Sequence, residues 1–579
     1  MAATGKEGTL FRKVKKEEIM NRAIIKTLVS RGRKTMRELD DNSKRANALS
    51  RETLFNLLDS NKDTEYGRKY GFADIHSIEE YQKKVPLSSY DDYEPYIRRM
   101  IDKNEKNLIT VNEPKHYALS SGSIGVPKHI PVSEAELTKY SKYATSMLFG
   151  IMDEYYRNTT GRSFKRGFGL SCIELRFRET KNGVPMGAIS GNLLKPVQDK
   201  IQYLAEPPWD VINPKEEMDL KYLRARYALE RKNIVFLDGA FMTALVDQID
   251  YIRANWEMLV KDIYHGRIDE SVNIPGQWRG KFEAGFRPNP GRAKELAREF
   301  KKGFDQIIPR IWPDIQFVGS IGTGGFFTYT KKMRRYTGRN IPYSHMTYAA
   351  SEGLFASARH AEDTSYVLIP DGGFYEFIPA KAEDDSVILT MDQLEEGEDY
   401  EIIVTNLSGF YRYRIQDVIR VTGYYNECPM VQFIYRKSQM ISIAGEKTNE
   451  KAVSWAIEQF MRDTGLIIND YSVYADTETE PGRYVFFMEP SEVVPADKRE
   501  ACRNSIEERM MQANPSYGDK IRRGILAPLE LRFVELETYQ LYRDLMIFRG
   551  TSPNQLKPVR VLDTPMKYQF FNELCEETL

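Results

Sequence analysis

The sequence has few of the residues that build disulfide frameworks and metal centres. Its six histidines are dispersed with no HExxH spacing, and its four cysteines include no CxxC pair: Cys172, Cys428, Cys502 and Cys575. Neither a disulfide framework nor a structural zinc site is therefore expected. Since scattered thiols are typical of proteins in reducing compartments, we expect a cytoplasmic setting.

An excess of one charge and a long apolar run are also lacking. The 83 basic residues balance the 83 acidic residues, so composition gives no support to a nucleic-acid partner. No apolar run reaches the length of a membrane span, and the first residues lack the apolar core of a signal peptide. We expect neither a nucleic-acid nor a membrane partner, and the oligomeric state stays open.

The 579 residues, of which 41% are hydrophobic, are enough for one large domain and a smaller one, or for three or four average domains. Apolar periodicity predicts helices over 13–58, 78–84, around Met100, 134–156, 241–260, 293–304, 452–464 and 495–513. Strands are predicted over 234–237, 315–318 and 431–435, with paired strands at 366–369 and 373–378 and at 400–405 and 410–415. Residues 61–68 read as a turn. Strands that alternate with helices indicate an α/β protein, whose ligands bind at the carboxyl ends of strands.

One stretch, residues 117–131, combines glycines and serines with a lysine directly before a predicted helix. Backbone N–H groups, hydroxyls and a cation in such a loop can hold polyphosphate, and the spacing alone equally allows an ordinary surface loop. The nucleotide-binding P-loop is excluded because no Gly-Lys-Ser/Thr follows at the required distance. Ser133 and Glu136 are spaced as a capping box for the helix that follows. The candidate phosphate ligands are Ser120, Ser121, Gly122, Ser123 and Lys128.

Two further motifs follow the loop in order, Tyr348-Ala-Ala-Ser-Glu352 and Tyr411-Arg-Tyr-Arg-Ile-Gln-Asp417. Together with the loop they resemble the auxin-responsive acyl-acid amido synthetases (the Gretchen Hagen 3 proteins and their bacterial relatives), and we interpret the chain as a bacterial-type member. This family belongs to the acyl-adenylate-forming superfamily, with luciferases and acyl-CoA ligases. The resemblance covers nearly the whole chain. It implies a large N-terminal domain (1–435) of mixed β-sheets and a β-barrel flanked by helices, and a small mobile α+β domain (436–579).

The resemblance also implies a reaction. An ATP-dependent, AMP-forming ligase would adenylate a carboxylic acid and pass the acyl group to an amine, with an amino acid as the expected amine and Mg²⁺ as cofactor. Two alternatives stay open: formation of a coenzyme A thioester, and a nucleotide-binding pseudoenzyme or regulator. Neither the acid nor the amine can be named from the sequence, because pocket residues come from many separated segments.

Residue roles follow from the resemblance. Tyr348 would lie against adenine, Ser351 would contact the α-phosphate, and Glu352 would help to hold Mg²⁺. The remaining candidates are Asp417 for the ribose hydroxyls, Gly322 and Thr323 for the adenine pocket, Arg436 at the start of the small domain, and Lys557 for the phosphates. Considered singly, each could be structural: a core tyrosine, a helix-end glutamate, a turn aspartate or a surface lysine. Arg412 and Arg414 could equally be ion-pair partners or ligand contacts.

Two residues depart from the family pattern. Ile124 stands where a serine or threonine is usual, which removes one phosphate donor. Gln416 replaces the usual glycine before Asp417, which adds a side chain beside the ribose site. These departures leave the efficiency of ATP use open.

Overall fold

The computed structural model describes residues 2–120, 128–176, 178–382, 384–437, 440–551 and 556–576. The described helices are α1 Ala2–Asn42, α2 Ala46–Asn61, α3 Glu65–Tyr70, α4 Ile78–Lys84, α5 Tyr90–Lys103, α6 Glu134–Tyr140, α7 Met147–Thr160, α8 Ile189–Leu194, α9 Gln198–Ile201, α10 Trp209–Ile212, α11 Leu220–Glu230, α12 Met242–His265, α13 Gly276–Glu283, α14 Pro290–Phe300, α15 Ile307–Ile311, α16 Phe327–Thr337, α17 Glu450–Thr464, α18 Ala496–Ala513, α19 Pro515–Arg522, α20 Thr538–Phe548 and α21 Pro565–Glu573. None of them is long and apolar enough to cross a membrane.

The described strands are β1 His116–Ser120, β2 Lys128–Val132, β3 Phe168–Ser171, β4 Arg178–Glu179, β5 Pro185–Gly187, β6 Ala205–Glu206, β7 Ile234–Phe241, β8 Phe317–Ile321, β9 Tyr343–Ser344, β10 Thr347–Ala350, β11 Gly353–Ser357, β12 Tyr366–Leu368, β13 Gly373–Pro379, β14 Asp399–Asn406, β15 Tyr413–Tyr425, β16 Cys428–Arg436, β17 Ile468–Asp476, β18 Arg483–Pro490 and β19 Glu530–Phe533. They form four sheets with helices around them, which confirms the predicted α/β class.

The N-terminal helices lie where the sequence predicts helix, but a 3-10 turn at Ser43–Arg45 divides the helix predicted over 13–58, and one predicted turn is helical. Helix α4 has the predicted bounds, and Ser77 caps it by accepting a hydrogen bond from the Glu80 amide at 3.1 Å. The segment predicted as a turn over 61–68 is helical from Glu65 onward. Thr64 explains the difference, because its side chain accepts a hydrogen bond from the Gly67 amide at 2.9 Å and starts α3.

A parallel sheet of order β6-β3-β7-β8-β9 forms the centre of the N-terminal region. Its inner strands are apolar on both faces, as parallel strands covered by helices require. Phe236 and Phe317 stack across β7 and β8 with their rings 5.2 Å apart, and Phe149 of α7 packs against both. The predicted strands at 234–237 and 315–318 are therefore confirmed, and both extend further toward their carboxyl ends.

An antiparallel sheet of order β10-β11-β12-β16-β15-β14-β13 lies beside it. The predicted pairing of β14 with β15 is confirmed, whereas the predicted pairing of β12 with β13 is wrong. Strand β12 pairs with β11 and β16, and β13 pairs with β14 at the edge of the sheet. No described pairing joins β10 to β13, so the described strands form an open sheet and not the expected closed barrel.

Residues after β16 build a smaller unit of helices on a three-stranded sheet, β17-β18-β19. The predicted helices at 452–464 and 495–513 are confirmed as α17 and α18. Their apolar faces meet one face of the sheet in a buried cluster separate from the two large clusters of the N-terminal region. A fourth sheet, of order β2-β1-β5-β4, carries the glycine- and serine-rich loop at one end.

Candidate active site

Three predicted site residues meet at the end of the antiparallel sheet. Asp417 of β15 and Arg436 of β16 are directly paired in register, and Arg436 Nε donates to Asp417 Oδ1 at 2.7 Å. Tyr348 of β10 donates its hydroxyl to the other carboxylate oxygen at 2.9 Å. The negative charge of Asp417 raises the pKa of Arg436, so the guanidinium stays protonated. Residues up to 88 positions apart in the sequence thus form one hydrogen-bonded cluster.

The residue before Asp417 has an unusual backbone. Gln416 adopts φ 63°, in the left-handed region that glycine occupies without cost. This geometry explains why glycine is usual at this position in the family that the sequence resembles. The Gln416 side chain is exposed, so the strain is confined to the backbone that positions Asp417.

Ser351 and Glu352 lie in the tight turn between β10 and β11, and helix α6 holds that turn. Tyr140 Oη donates to the Ala350 carbonyl at 2.9 Å, and the Leu354 amide donates to Glu136 Oε1 at 2.9 Å. Ser133 caps α6 as predicted, but Glu136 does not complete the capping box, because its buried carboxylate instead serves the turn and Lys139. These positioning contacts were not predicted from the sequence.

Glu352 itself presents a partly exposed carboxylate. Tyr413 Oη donates to Glu352 Oε1 at 3.2 Å, and within the described part of the chain Oε2 has no hydrogen-bond partner. No cluster of three or more His, Cys, Asp or Glu residues suited to a metal occurs among the described residues. One carboxylate with a free oxygen fits Mg²⁺, which commonly takes one or two carboxylates and completes its octahedron with water and substrate phosphates.

Gly322 and Thr323 follow β8 and lie near the cluster formed by Asp417, Arg436 and Tyr348. Thr323 Oγ1 and Tyr366 Oη lie 2.9 Å apart in a hydrogen bond. A side chain at position 322 would stand 2.5 Å from Thr330 Oγ1, so the close approach requires glycine. Phe433 links this segment to the cluster, because its ring lies 6.2 Å from the ring of Tyr348 and beside Gly324. The predicted pocket segment and the predicted adenine ligand are therefore neighbours.

The glycine- and serine-rich loop closes a hairpin. Ser120 ends β1 and pairs directly with Lys128, which begins β2. Lys128 has no carboxylate within ion-pair distance among the described residues, and its Nζ lies 5.3 Å from the centre of the Tyr90 ring. Four of the predictions fall outside the described residues: Ser121, Gly122, Ser123 and the departure at Ile124.

Lys557 reaches the cluster from the C-terminal region. Its side chain is exposed, and partial desolvation by neighbouring groups together with the nearby Arg436 lowers its pKa. Asp417, Glu450 and Glu352 oppose that shift through their negative charge. The lysine therefore lies near the predicted ribose and metal ligands. The space between them, called the cleft below, is where a polyphosphate would need a cation.

The two arginines left open by the sequence are structural. Arg412 is buried and pairs with Glu376 at 3.0 Å, and its Nη1 donates to the carbonyls of Gln82 and Val85 at 2.7 Å. Arg414 pairs with Glu401 and Asp385. Neither is directed at the Asp417 cluster, which leaves Arg436 as the arginine of the site.

Family models match almost the whole chain. The GH3 family N-terminal domain matches residues 35–342, the central domain residues 366–436 and the C-terminal domain residues 450–566. The chain belongs to the GH3 family. The resemblance inferred from the three sequence motifs is thereby confirmed.

Curated GH3 proteins match along nearly their full length. The indole-3-acetic acid-amido synthetase GH3.8 of Oryza sativa subsp. indica is 28% identical, with 92% of this chain and 90% of the relative covered. The jasmonoyl--L-amino acid synthetase GH3.5 of Oryza sativa subsp. japonica is 29% identical, with coverage of 91% and 94%. Both names describe ligases that join a carboxylic acid to an amine.

Solved structures confirm the fold. The GH3.15 acyl acid amido synthetase superposes with a TM-score of 0.81 at 24% identity and covers 94% of this chain and 96% of its own. A 2-hydroxyisobutyryl-CoA ligase bound to an acyl-adenylate superposes with a TM-score of 0.53 at 12% identity, with 91% of each chain covered. The chain therefore has the fold of the GH3.15 synthetase and shares it more distantly with the CoA ligase.

All three GH3 segments contribute to the cleft. Thr323 comes from the N-terminal segment, Asp417 and Arg436 from the central segment, and Lys557 from the C-terminal segment. The Tyr348 motif lies between the first two matched segments. Because the cluster is assembled from separate parts of the chain, the relative position of these parts decides whether the site is complete.

Proposed function

We propose that this GH3 protein is an ATP-dependent, AMP-forming acyl acid amido synthetase that joins a small carboxylic acid to an amine, most simply an amino acid. One observation carries the proposal: Asp417, held by Tyr348 and Arg436, lies near enough to Lys557 for their charges to interact. This arrangement offers a hydroxyl acceptor, an aromatic ring and a cation, the three groups that a nucleoside triphosphate needs. The names of the relatives supply the reaction class.

The nucleotide would lie across the cleft. Tyr348 supports adenine together with Gly322 and Thr323, and the Asp417 carboxylate accepts the ribose hydroxyls. The α-phosphate lies against the turn that contains Ser351. The β- and γ-phosphates extend to the hairpin loop, whose proposed donors are Ser120, Ser121, Gly122, Ser123 and Lys128.

Glu352 would hold Mg²⁺ through its unpaired oxygen, and the metal would neutralise charge on the phosphates. Helix α6 fixes the turn through Glu136 and Tyr140, so the carboxylate is presented at a defined position. The fit requires only one protein ligand because substrate oxygens and water complete the shell.

The residues favour a two-step reaction. A carboxylate oxygen of the acid attacks the α-phosphorus, the bond to the bridging oxygen breaks, and pyrophosphate leaves with its charge stabilised by Lys128 and Lys557. The amine nitrogen then attacks the acyl carbonyl, the bond to the AMP oxygen breaks, and the amine loses a proton. The products are an amide, AMP and pyrophosphate. Enclosure of the cleft protects the adenylate from water.

We also propose that the chain has two domains with different roles. Residues 1–435 bind ATP and the acid, and residues 436–579 act as a mobile lid that carries Lys557. Arg436 ends β16 at this boundary and pairs with Asp417. Since all four cysteines are free thiols, a reducing cytoplasmic setting suits the protein.

The decisive experiment is acid-dependent ATP–pyrophosphate exchange across a panel of carboxylic acids. We expect Glu352→Gln to lower the exchange rate at least tenfold, and Asp417→Asn to raise KM for ATP by about ten- to a hundredfold through loss of a charged hydrogen-bond acceptor. Asp399→Asn is the matched control, because Asp399 makes an equivalent pair with Arg420 elsewhere in the same sheet. If none of the acids supports exchange, the proposed enzymatic activity is rejected and a nucleotide-binding regulator is favoured.

Acceptor trials complete the assignment. Wild-type protein supplied with a productive acid should release AMP faster when amino acids are added, with the amide as product. Stimulation by coenzyme A and by no amine would instead assign the protein to thioester formation.

A further inference from the structure

The carboxyl edge of the parallel sheet, called the recess below, keeps accessible surface. Residues Ile234 to Leu237 of β7 are buried, whereas Asp238, Ala240 and Phe241 keep accessible surface. In the neighbouring β8, the first four residues are likewise buried and the last, Ile321, is partly accessible. Because ligands of parallel sheets bind at this edge, the recess is a candidate binding site.

The strand geometry shows which face Asp238 occupies. Alternate residues of a strand share a face, so Asp238 lies on the face of Phe236, which packs against Phe149 of α7. The residues paired with Asp238 in the two neighbouring strands are Ser171 of β3 and Gly319 of β8. A side chain at position 319 would stand 2.9 Å from Leu148, so α7 covers this face as far as Gly319.

Helix α7 runs antiparallel to β8. Leu148 lies against Gly319, and Tyr156 further along α7 donates its hydroxyl to the Gln316 carbonyl at 2.8 Å, earlier in the strand region. The residues that precede α7, a π-helical stretch over Ser141–Ser146, therefore lie toward the carboxyl edge of the sheet from Leu148. Such π-helical segments occur frequently at functional sites.

The same helical segment connects the recess with the proposed α-phosphate site. Tyr140, directly before the π-helical stretch, holds the Ala350 carbonyl beside Ser351 and Glu352. Eight residues separate Tyr140 from Leu148 in the sequence, which corresponds to about 12 Å of helix. A carboxylic acid activated beside Ser351 would thus extend beneath the π-helical stretch toward Asp238.

The Asp238 carboxylate has one weak hydrogen bond and no cationic partner among the described side chains. Its one side-chain partner among the described residues is Ser171, whose hydroxyl donates over a long 3.4 Å, and none of the described lysines or arginines lies within ion-pair distance. Burial raises its pKa to about 6. By contrast, the buried Asp153 of α7 pairs with both Arg33 and Arg157. The accessible carboxylate of Asp238 therefore has no cationic partner among the described residues and can accept a hydrogen bond from a ligand at this edge.

We propose that Asp238, assisted by Ser171, recognises the remote end of the acyl substrate, so that the protein selects carboxylic acids whose acyl chain carries a hydrogen-bond donor, either an ammonium or a hydroxyl group. The proposal rests on the proposed adenylation of a carboxylic acid. It adds to that function a specificity residue and a substrate class: a donor group at the far end supplies the partner that Asp238 lacks.

The test uses acids matched in shape: 6-aminohexanoate, 6-hydroxyhexanoate and heptanoate, and 4-(aminomethyl)benzoate, 4-(hydroxymethyl)benzoate and 4-ethylbenzoate. ATP–pyrophosphate exchange by the full-length protein should give kcat/KM about ten- to a hundredfold higher for a donor-bearing acid than for its alkyl counterpart. A preference for the ammonium over the hydroxyl member identifies a cationic substrate, and the reverse identifies a neutral one.

Asp238→Asn and Asp238→Ser should reduce that preference to less than threefold, with KM for ATP unchanged. Asp314→Asn, on the surface of the same region, should leave the preference intact. Exchange without preference in the wild type, or a preference that persists in both Asp238 variants, would overturn the inference. Exchange with no acid of this or a wider panel would instead reject the proposed function, and the inference with it.

Discussion

At the scale of single residues, Asp238 shows that a binding group can reduce the stability of the fold. Its folded pKa of about 6 exceeds the ordinary 3.8, so the folded protein binds this proton more tightly than the unfolded chain. Its contribution to stability is therefore fully favourable below pH 3.8 and is lost as pH rises through 6. The cost above that pH is up to about 3 kcal/mol.

The variant Asp238→Asn remains neutral at every pH and avoids this cost. We expect it to resist urea better than the wild type at pH 8, and the advantage should shrink as the pH falls to 5. Unfolding midpoints at both pH values, followed by circular dichroism, measure the difference. An advantage that is equal at pH 5 and pH 8 would mean that the carboxyl group does not titrate with the raised pKa.

The roles of site residues could be predicted where a short motif contains them. The residues that position those site residues could not be predicted. The sequence identified Tyr348 and Asp417 because both belong to recognisable short motifs. It could not identify Tyr140 as the residue that holds the Ala350 carbonyl, since 210 positions separate the two. Glu136 was interpreted as half of a local capping box, and a distant contact with Leu354 prevailed. Local spacing contains no information about such long-range partners.

At the scale of elements, strand β15 presents Asp417 through a backbone distortion. Gln416 adopts φ 63°, which costs a residue other than glycine about 1 kcal/mol. We expect Gln416→Gly to be neutral or slightly stabilising, because relief of strain offsets the greater freedom of glycine in the unfolded chain. Gln416→Val should destabilise the protein by at least about 1 kcal/mol and raise KM for ATP, since a β-branched residue resists this conformation.

The matched control is Gln432→Val in the neighbouring strand β16, where the backbone is an ordinary strand and valine is well tolerated. Thermal unfolding midpoints and KM for ATP measure both effects. Equal behaviour of the two valine variants would show that the conformation at position 416 carries no strain.

Elements were predictable to the extent that their information is local. Apolar periodicity placed α4, α17 and α18 within two residues, and the short Asn406–Gly409 turn indicated the β14–β15 pair. The same reasoning paired β12 with β13 wrongly, because the partner of β12 is β16, more than 50 positions further along the chain. A short connection predicts a hairpin only if no distant strand pairs better.

At the scale of the whole molecule, a buried polar network joins the N-terminal and C-terminal regions. Tyr329 of α16 donates its hydroxyl to Asp470 of β17, and Arg543 donates to Tyr329 Oη at 2.7 Å and to Asp247 Oδ1 at 3.0 Å. Arg560 pairs with Asp470 and donates to the Gly325 carbonyl at 2.5 Å. Arg560 lies three positions after Lys557, so the network secures the segment that brings this lysine into the cleft.

Tyr329→Phe removes one hydroxyl from this network and little volume from the core. We expect ATP–pyrophosphate exchange to slow about fivefold, because the lost hydrogen bond lowers the population of the arrangement in which Lys557 faces Asp417. KM for ATP should change little, since the proposed nucleotide ligands remain. The radius of gyration from small-angle X-ray scattering should increase at the same time, as the C-terminal region separates more often.

Tyr336→Phe is the control for this substitution. Tyr336 lies on the same helix, is equally buried, and donates its hydroxyl to Asp250 of α12 at 2.5 Å, so its hydrogen bond stays within the N-terminal region. It should affect stability as Tyr329→Phe does while leaving exchange and the radius of gyration unchanged. If both variants slow exchange equally, the effect arises from general loss of stability, and the network does not control how the two regions meet.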